Sequence, residues 1–342
     1  MINIKEYLFE EHYQNDFICL MKKLYNKYER SELYINNIKK IINPNNPSFR
    51  YIEIKNFIAY DGEKVVGHIS AMIDKRLNQN GSPVGLIGFY ECTQDPELSS
   101  NLIGRAIEYL KEGKCNIIRA PIDLTIWHPY RFVVNQKDSF VLEPLTRDYY
   151  INQFKSQGFN VAMQYVSAER TDFNTIIPYT KKDYDLAIKE GFKIRTLTSD
   201  NFREGILSIY YMINKIFKES WSFVNISKEE YLFIYNDYEN NLDTLLIHII
   251  SDGQGQEVGF CSSIIDPIKN EIILKTIGIM PEYQSKKVGA TLLYYQHRIA
   301  QERGIIKEIY ALIKKGNIVT RLPYPGTVIT REYVTLQKEI IE

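Results

Sequence analysis

Neither sign of charge is in excess in this chain: Lys and Arg together number 42, and so do Asp and Glu. A chain without net charge sets up no field that gathers nucleic acid or an anionic membrane surface, so the expected partner is a small molecule. Cysteine is scarce. Cys19, Cys92, Cys115 and Cys261 form no CxxC pair and have no close histidine, which leaves neither a disulfide framework nor a zinc centre and points to the reduced thiols of a cytoplasmic protein. The segment Met1 to Phe17 is charged throughout; it lacks the apolar core of a secretory signal and the roughly 20 apolar residues that cross a bilayer. Common catalytic signatures are missing as well. There is no HExxH, GxSxG, Walker loop or GxGxxG, and the histidines, His12, His68, His128, His248 and His297, are scattered, so no metal is expected.

What is present is an ordinary globular composition, 44% hydrophobic and 25% charged, over 342 residues. That length favours two domains, each large enough to bury its own core. The 26 tyrosines are a compositional bias from which no function is drawn.

The chain repeats itself. Ile58 to Ile69 has apolar residues on both sides of Asp61-Gly62, the pattern of a tight hairpin. A second copy runs from Ile249 through Asp252-Gly253 to Phe260, and Gly67 and Gly259 lie 192 residues apart. Each hairpin is followed by an apolar strand with a glycine: Val84 to Tyr90 with Gly88, and Ile272 to Met280 with Gly278. A helix-period stretch and a short strand come next, Leu98 to Lys111 and Asn116 to Arg119 in the first copy, Ala290 to Glu302 and Lys307 to Leu312 in the second. Ahead of the second hairpin, Asn201 to Phe217 and Lys228 to Tyr235 show helical spacing, with Ser199 or Asp200 and Ser227 placed as N-caps. Thr330 to Lys338 reads as a last strand. The order predicts an α/β protein of the α+β type, with two tandem domains, each a mixed, mostly antiparallel sheet flanked by helices. The charged stretch Lys181 to Gly191 reads as the junction, giving domains 1–190 and 191–342.

The most informative run is Ile277 to Leu293, which passes from a strand through the turn Pro281-Glu282-Tyr283 into a helix. The first N–H groups of such a helix lack intrachain partners and, with the positive end of the helix dipole, suit a phosphate or pyrophosphate. Gly289 lets the backbone approach an anion closely, and Lys286 and Lys287 add charge at the rim. In the first copy the corresponding turn, Thr93 to Ser100, has no glycine and no basic residue, and its Asp95 and Glu97 repel a pyrophosphate.

The run Gln284-Ser285-Lys286-Lys287-Val288-Gly289-Ala290 resembles the acyl-CoA loop of the GNAT N-acetyltransferase superfamily: Gln or Arg, two residues, Gly, one residue, then Gly or Ala. Gln284 and Gly289 match, whereas Lys287 stands at the usual first glycine. The resemblance extends over most of residues 193–342. More distantly the whole chain is similar to bacterial tandem GNAT proteins, through Gly88-Phe89-Tyr90-Glu91-Cys92 and Phe140-Val141-Leu142-Glu143-Pro144, with a degenerate first copy acting as scaffold and substrate wall.

The resemblance implies an N-acetyltransferase that moves an acetyl group from acetyl-CoA to a small-molecule amine by direct transfer in a ternary complex. The backbone of Ile277, Gly278, Ile279 and Met280, the loop Gln284 to Ala290 and Asn317 are then the cofactor-binding residues. Tyr324, seven residues after Asn317, matches the family's general acid, although Pro323 and Pro325 flank it. An alkyl ammonium loses its proton only near pH 10.4, so a base or a water chain is needed. The usual base position falls near Lys275 and Thr276, neither a carboxylate, and Glu219 is the remaining candidate. Trp221 and Phe223 sit where related proteins place aromatic residues over the acceptor. Two other classes fit the same motifs: a tandem GNAT aminoacyl transferase, and a non-catalytic acyl-CoA-binding sensor or scaffold. The sequence is compatible with a homodimer and leaves the oligomeric state and acyl length open.

Overall fold

The computed structural model describes residues 2–135, 137–284, 286–317 and 326–340. The chain begins with β1 (Ile2–Tyr7), α1 (Glu11–Tyr25) and α2 (Ser31–Ile41), then β2 (Ile52–Asp61), β3 (Lys64–Gln79), β4 (Ser82–Cys92), α3 (Pro96–Glu112) and β5 (Ile117–Ala120). Short β6 (Phe132–Val133), α4 (Tyr150–Ser156), β7 (Asn160–Arg170), α5 (Phe173–Lys189) and β8 (Lys193–Thr196) lead into α6 (Phe202–Ile216) and α7 (Lys228–Tyr235). The remainder is β9 (Leu245–Ser251), β10 (Glu257–Asp266), β11 (Glu271–Ile279), α8 (Val288–Glu302), β12 (Lys307–Lys314) and β13 (Val328–Glu339).

Two compact units result. The first contains residues 1–164, 221–226 and 332–342; the second contains 165–220 and 227–331. The expected boundary at residue 190 therefore falls inside the second unit. The stretch Lys181 to Gly191 is the end of α5, a helix whose N-terminus is capped by Asp172, accepting from the Thr175 N–H at 3.2 Å. Its charges are the solvated face of an amphipathic helix: Ile176 and Ala187 turn inward, and Tyr184 meets Tyr294 of α8 with ring centroids 4.5 Å apart.

In the first unit the strand order is β1-β2-β3-β4-β5-β13, and in the second β7-β12-β11-β10-β9-β8. Each sheet holds one internal parallel pair, β4 with β5 and β11 with β12, and the other registered neighbours are antiparallel. The predicted hairpins form as read: Asp61 pairs with Lys64 across a two-residue turn with Gly62 at φ +60°. The first core packs Leu98, Leu102, Ala106 and Leu110 of α3 on Ile69, Ala71 and Ile87, and β13 contributes Val334 and Leu336. The second packs Val288, Leu292 and Leu293 of α8 on Val258, Cys261 and Leu274.

Ser227 caps α7 as expected, accepting from the Glu230 N–H at 3.2 Å while the Glu230 carboxylate takes the Ser227 N–H at 2.7 Å. Ser199 and Asp200 do not cap α6. They lie within a short 3-10 turn that Thr198 and Asn201 bracket as a capping box.

Candidate functional site

The central feature of the second unit is a parallel pair that comes apart. β11 pairs with β12 only from Glu271↔Lys307 to Leu274↔Tyr310, although β11 continues to Ile279 and β12 to Lys314. Two irregularities drive the strands apart. Lys275 is an extra residue where the β10–β11 register shifts at Ser262/Ser263, and β12 skips a register step against β7 between Tyr310 and Ile313. Leu312, in that step, has φ +57° and donates its N–H to Ser167 Oγ at 3.0 Å. Past Leu274, among the described residues, β11 thus has a ladder on the β10 side alone.

Which amides face the gap follows from the ladder. Met280 donates its N–H to the Val258 carbonyl at 2.9 Å, and Gly259↔Ile279, Phe260↔Gly278 and Cys261↔Ile277 are opposite pairs. Antiparallel pairs alternate between bonded and non-bonded, so Gly278 and Met280 direct their backbone groups to β10, while Ile277 and Ile279 direct theirs into the gap. Of the four strand residues expected to hold a thioester arm, two, Ile277 and Ile279, turn their N–H groups into the gap. Gly278 instead makes room for packing, since a Cβ there would lie 2.6 Å from the Phe260 ring and 3.2 Å from Ile216 Cδ1 of α6.

Beyond β11 the chain makes a 3-10 turn at Pro281–Tyr283 and enters α8. The N-cap, Lys287, has φ +61°, the left-handed conformation glycine adopts freely, so the lysine keeps the shape of the expected glycine at some cost in strain. Among the described residues no side chain caps α8. Its first internal bond runs from the Thr291 N–H to the Lys287 carbonyl at 3.0 Å, which leaves the N–H groups of Val288, Gly289 and Ala290 outside the helical ladder, at the positive end of the dipole. A Cβ at Gly289 would meet only Ile279 Cγ1, at 3.8 Å. Gln284 reaches back to the Ile279 carbonyl at 3.2 Å, placing this side chain beside the gap. Lys286 Nζ lies 4.5 Å above the Tyr283 ring, whose hydroxyl donates to Asp252 at 2.6 Å. Lys287 Nζ lies 3.7 Å from Asp183 of α5. Ser285 lies outside the described residues.

Tyr324 lies outside the described residues. Asn317 is exposed, its N–H bonded to the Lys314 carbonyl at 3.0 Å. The Glu219 side chain is 88% exposed and lies 3.8 Å from its neighbour Lys218, which is the environment of a solvated surface residue. At the bulge, Lys275 Nζ sits 5.1 Å from the Tyr235 ring centre and 3.5 Å from its hydroxyl. This Tyr235 contact was not anticipated; the spacing of Tyr231, Tyr235 and Tyr238 along one helical face was its signal.

Trp221 and Phe223 belong to the first unit, whereas the loop before α8 belongs to the second. The Arg119 guanidinium lies 4.8 Å from the Trp221 ring centre and donates to Ser222 Oγ at 2.8 Å. Phe223 packs 5.7 Å from Trp127, whose indole N–H donates to the Val224 carbonyl at 3.1 Å.

The first unit repeats the parallel pair, Val84↔Ile117 to Leu86↔Arg119, but closes the gap with its own chain. The Ile122 N–H bonds the Ile87 carbonyl at 2.8 Å, and the Asp123 carboxylate accepts the Phe89 N–H at 2.6 Å. The N-terminus of α3 is filled too, since Asp95 accepts from the N–H groups of Glu97 and Leu98, each at 3.0 Å. Register also corrects the match of Gly88 with Gly278. Phe260, which faces Gly278, corresponds by the 192-residue repeat to His68, which faces Glu91. A buried glutamate occupies the position of Gly278.

Comparison with known proteins agrees with this geometry. Residues 210–321 match the family model of the Acetyltransferase (GNAT) family. A tandem GNAT protein from the clavulanic acid biosynthesis pathway superposes with a TM-score of 0.59 over 99% of this chain and 98% of that one, at 9% identity. Residues 210–321 thus carry the GNAT-family match, and the whole chain has the fold of a tandem GNAT protein. Protein YghO of Escherichia coli is 24% identical over 191 residues, covering 54% of this chain and 48% of that protein. The bacterial ceramide synthase of Caulobacter vibrioides is 22% identical over 219 residues, 63% of this chain and 56% of that protein. Spermidine N(1)-acetyltransferase of Thermoplasma acidophilum is 34% identical over 89 residues, 26% of this chain and 53% of that protein. The chain thus spans about half the length of these relatives. Among the described residues no helix is long and apolar enough to cross a membrane.

Proposed function

We propose that the protein is an acyl-CoA-dependent N-acyltransferase that moves an acetyl group from acetyl-CoA to an amine of a small molecule, in the cytoplasm. The observation that carries this reading is the coincidence, in one unit, of a strand pair opened past Leu274 and Tyr310 with an uncapped helix N-terminus a short turn further along the chain. The N–H groups of Val288, Gly289 and Ala290 suit the pyrophosphate, and those of Ile277 and Ile279 suit the arm that follows it. Acetyl-CoA supplies an activated thioester. The chain orients it against the amine and offers fixed N–H dipoles where negative charge develops. With Glu219 solvated and Lys275 at the usual base position, the acceptor ammonium gives its first proton to water. As the C–N bond forms and the C–S bond breaks, the proton lost from the nitrogen passes to the departing CoA thiolate. The spermidine acetyltransferase among the relatives supports an amine acceptor, and the ceramide synthase supports an acyl chain longer than acetyl as the alternative donor.

The test is calorimetric titration with acetyl-CoA of the wild type and of Gly289→Trp, whose bulk fills the space before α8. One binding event per chain, lost in the variant, is expected. Release of free CoA thiol from acetyl-, butyryl- and palmitoyl-CoA over an amine panel then identifies donor length and acceptor. Binding without turnover by any pair would select a sensor or scaffold; no binding at all would remove the assignment.

A further inference from the structure

We propose that the first unit carries a separate ligand site for the ammonium head of a small primary amine, in the cavity lined by Phe17, Tyr34, Phe89, Glu91, Asp123 and Tyr130. This inference is independent of the chemistry proposed for the second unit. The cavity has a volume of about 30 Å³. One water needs roughly 10 to 15 Å³ on this measure, so the space fits about two waters or one ammonium head.

The chemistry of the wall selects a cation. Glu91 and Asp123 are 4% and 6% exposed, and neither forms an ion pair among the described residues. Each carboxylate is half satisfied. Glu91 Oε2 accepts from Tyr25 at 2.8 Å and Tyr150 at 2.7 Å, while Oε1 has no partner among the described residues. Asp123 Oδ1 accepts from the Phe89 N–H at 2.6 Å, and Oδ2 has none among those residues. The Tyr34 hydroxyl is likewise without a hydrogen-bond partner among the described residues. Buried acceptors left over in this way favour a ligand that brings N–H donors and positive charge. The strain shows in the acidity of the pair: burial pushes Glu91 up to about 8 and Asp123 up to about 7.

The aromatic walls distinguish an organic ammonium from a metal ion. The rings of Phe17, Tyr34, Phe89 and Tyr130 line the cavity, a largely aromatic wall that suits an alkylammonium, whereas a hard divalent ion needs six or more oxygen ligands. Arg131 also lines the cavity, but its guanidinium stacks 3.6 Å over the Tyr130 ring and bonds that hydroxyl. Neither an acyl arm nor a pyrophosphate has room, because Ile122 and Asp95 already occupy the equivalent positions.

Methylammonium chloride titrated into the full-length protein at pH 9 tests the site, since both carboxylates are then ionised and the amine is still protonated. Saturable binding at one per chain, with millimolar half-saturation, is expected. Glu91→Gln, which can still accept from Tyr25 and Tyr150, and Asp123→Asn should each weaken binding at least tenfold. Tyr34→Phe, which keeps the ring, should weaken it about threefold and serves if either carboxylate variant misfolds. Absence of saturation, or equal binding by wild type and all three variants, overturns the proposal, the latter by placing the amine elsewhere.

Discussion

Ile122 donates its backbone N–H to the Ile87 carbonyl at 2.8 Å, and this bond closes in the first unit the gap that the described residues of the second unit leave open. Gly88 is what lets the closing segment pass. A Cβ at Gly88 would lie 2.1 Å from the Ile122 carbonyl oxygen and 2.7 Å from Asp123 Oδ1, so backbone would have to move. Gly88→Ala should destabilise the first unit by more than about 3 kcal/mol. Both tryptophans, Trp127 and Trp221, lie in that unit, so denaturant unfolding followed by tryptophan fluorescence reads it directly. Gly289→Ala is the contrast: its Cβ finds ordinary space, and the change should cost nothing or add up to about 1 kcal/mol to the second unit. Equal effects of the two substitutions would contradict the closed and open readings of the gaps.

Lys287→Gly should stabilise the second unit. The lysine holds φ +61°, which costs a side-chain-bearing residue about 1 to 2 kcal/mol and glycine almost nothing. The contact it surrenders, 3.7 Å to Asp183 with the lysine 70% exposed, is worth little in water. An unfolding free energy higher by about 1 kcal/mol, with little change in acetyl-CoA affinity, is the expected outcome. Clearly weaker binding by the variant would mean that the Lys287 charge helps hold the phosphate.

Much of the fold is legible in the sequence because the carriers are local. The hairpin at Asp61-Gly62, the strand-turn-helix from Ile277 to Leu293 and the Ser227 cap each depend on residues within a few positions of one another. The domain boundary is not legible in that way. β13, at the chain's end, completes the first sheet, and β7, before the supposed junction, starts the second; such pairings are set by long-range register that no local pattern encodes. The same holds within the site. Sequence marks Ile277 to Met280 as a group, but only the Met280–Val258 bond shows that alternate residues face the gap. Glu219 stands out by residue type and by its position near a helix end, and burial, which decides a carboxylate's role, has no sequence signal there.

Tyr283→Phe should loosen the loop without unfolding the domain. The Tyr283 hydroxyl ties the turn before α8 to Asp252 of the β9–β10 hairpin at 2.6 Å, and the same ring carries the Lys286 ammonium. The hydrogen bond holds the Asp252 carboxyl below its usual range. Losing one charge-assisted bond should raise the acetyl-CoA dissociation constant by about three- to tenfold, with little change in the unfolding midpoint. A large fall in that midpoint with unchanged affinity would assign Tyr283 to packing instead.

The buried carboxylates give the first unit a pH dependence whose sign is fixed. Folding raises Glu91 to about 8 and Asp123 to about 7, so the folded state keeps protons that the unfolded chain releases near pH 4. Their contribution is full below pH 4 and is lost as pH rises through 7 and 8. His68 works the other way. Burial lowers it to about 4, so its contribution is full above pH 6.5 and is lost as pH falls toward 4. Facing these groups are Tyr25 of α1, Tyr34 of α2, Tyr7 of β1, and Tyr150, Arg147 and Arg131 from the later loops and α4. Between pH 6.5 and 8 nothing from His68 offsets the carboxylates, and tryptophan-monitored stability should fall by about 1 to 3 kcal/mol per pH unit. Glu91→Gln retains the acceptor for Tyr25 and Tyr150 but cannot ionise. It should match the wild type at pH 4 and exceed it by roughly 4 kcal/mol at pH 8.5. Urea titrations of the two proteins at those pH values measure the difference. Parallel curves would mean that Glu91 is not the group that titrates. If saturating methylammonium at pH 8.5 narrows the gap by stabilising the wild type alone, the cation and the ionised Glu91 occupy the same cavity.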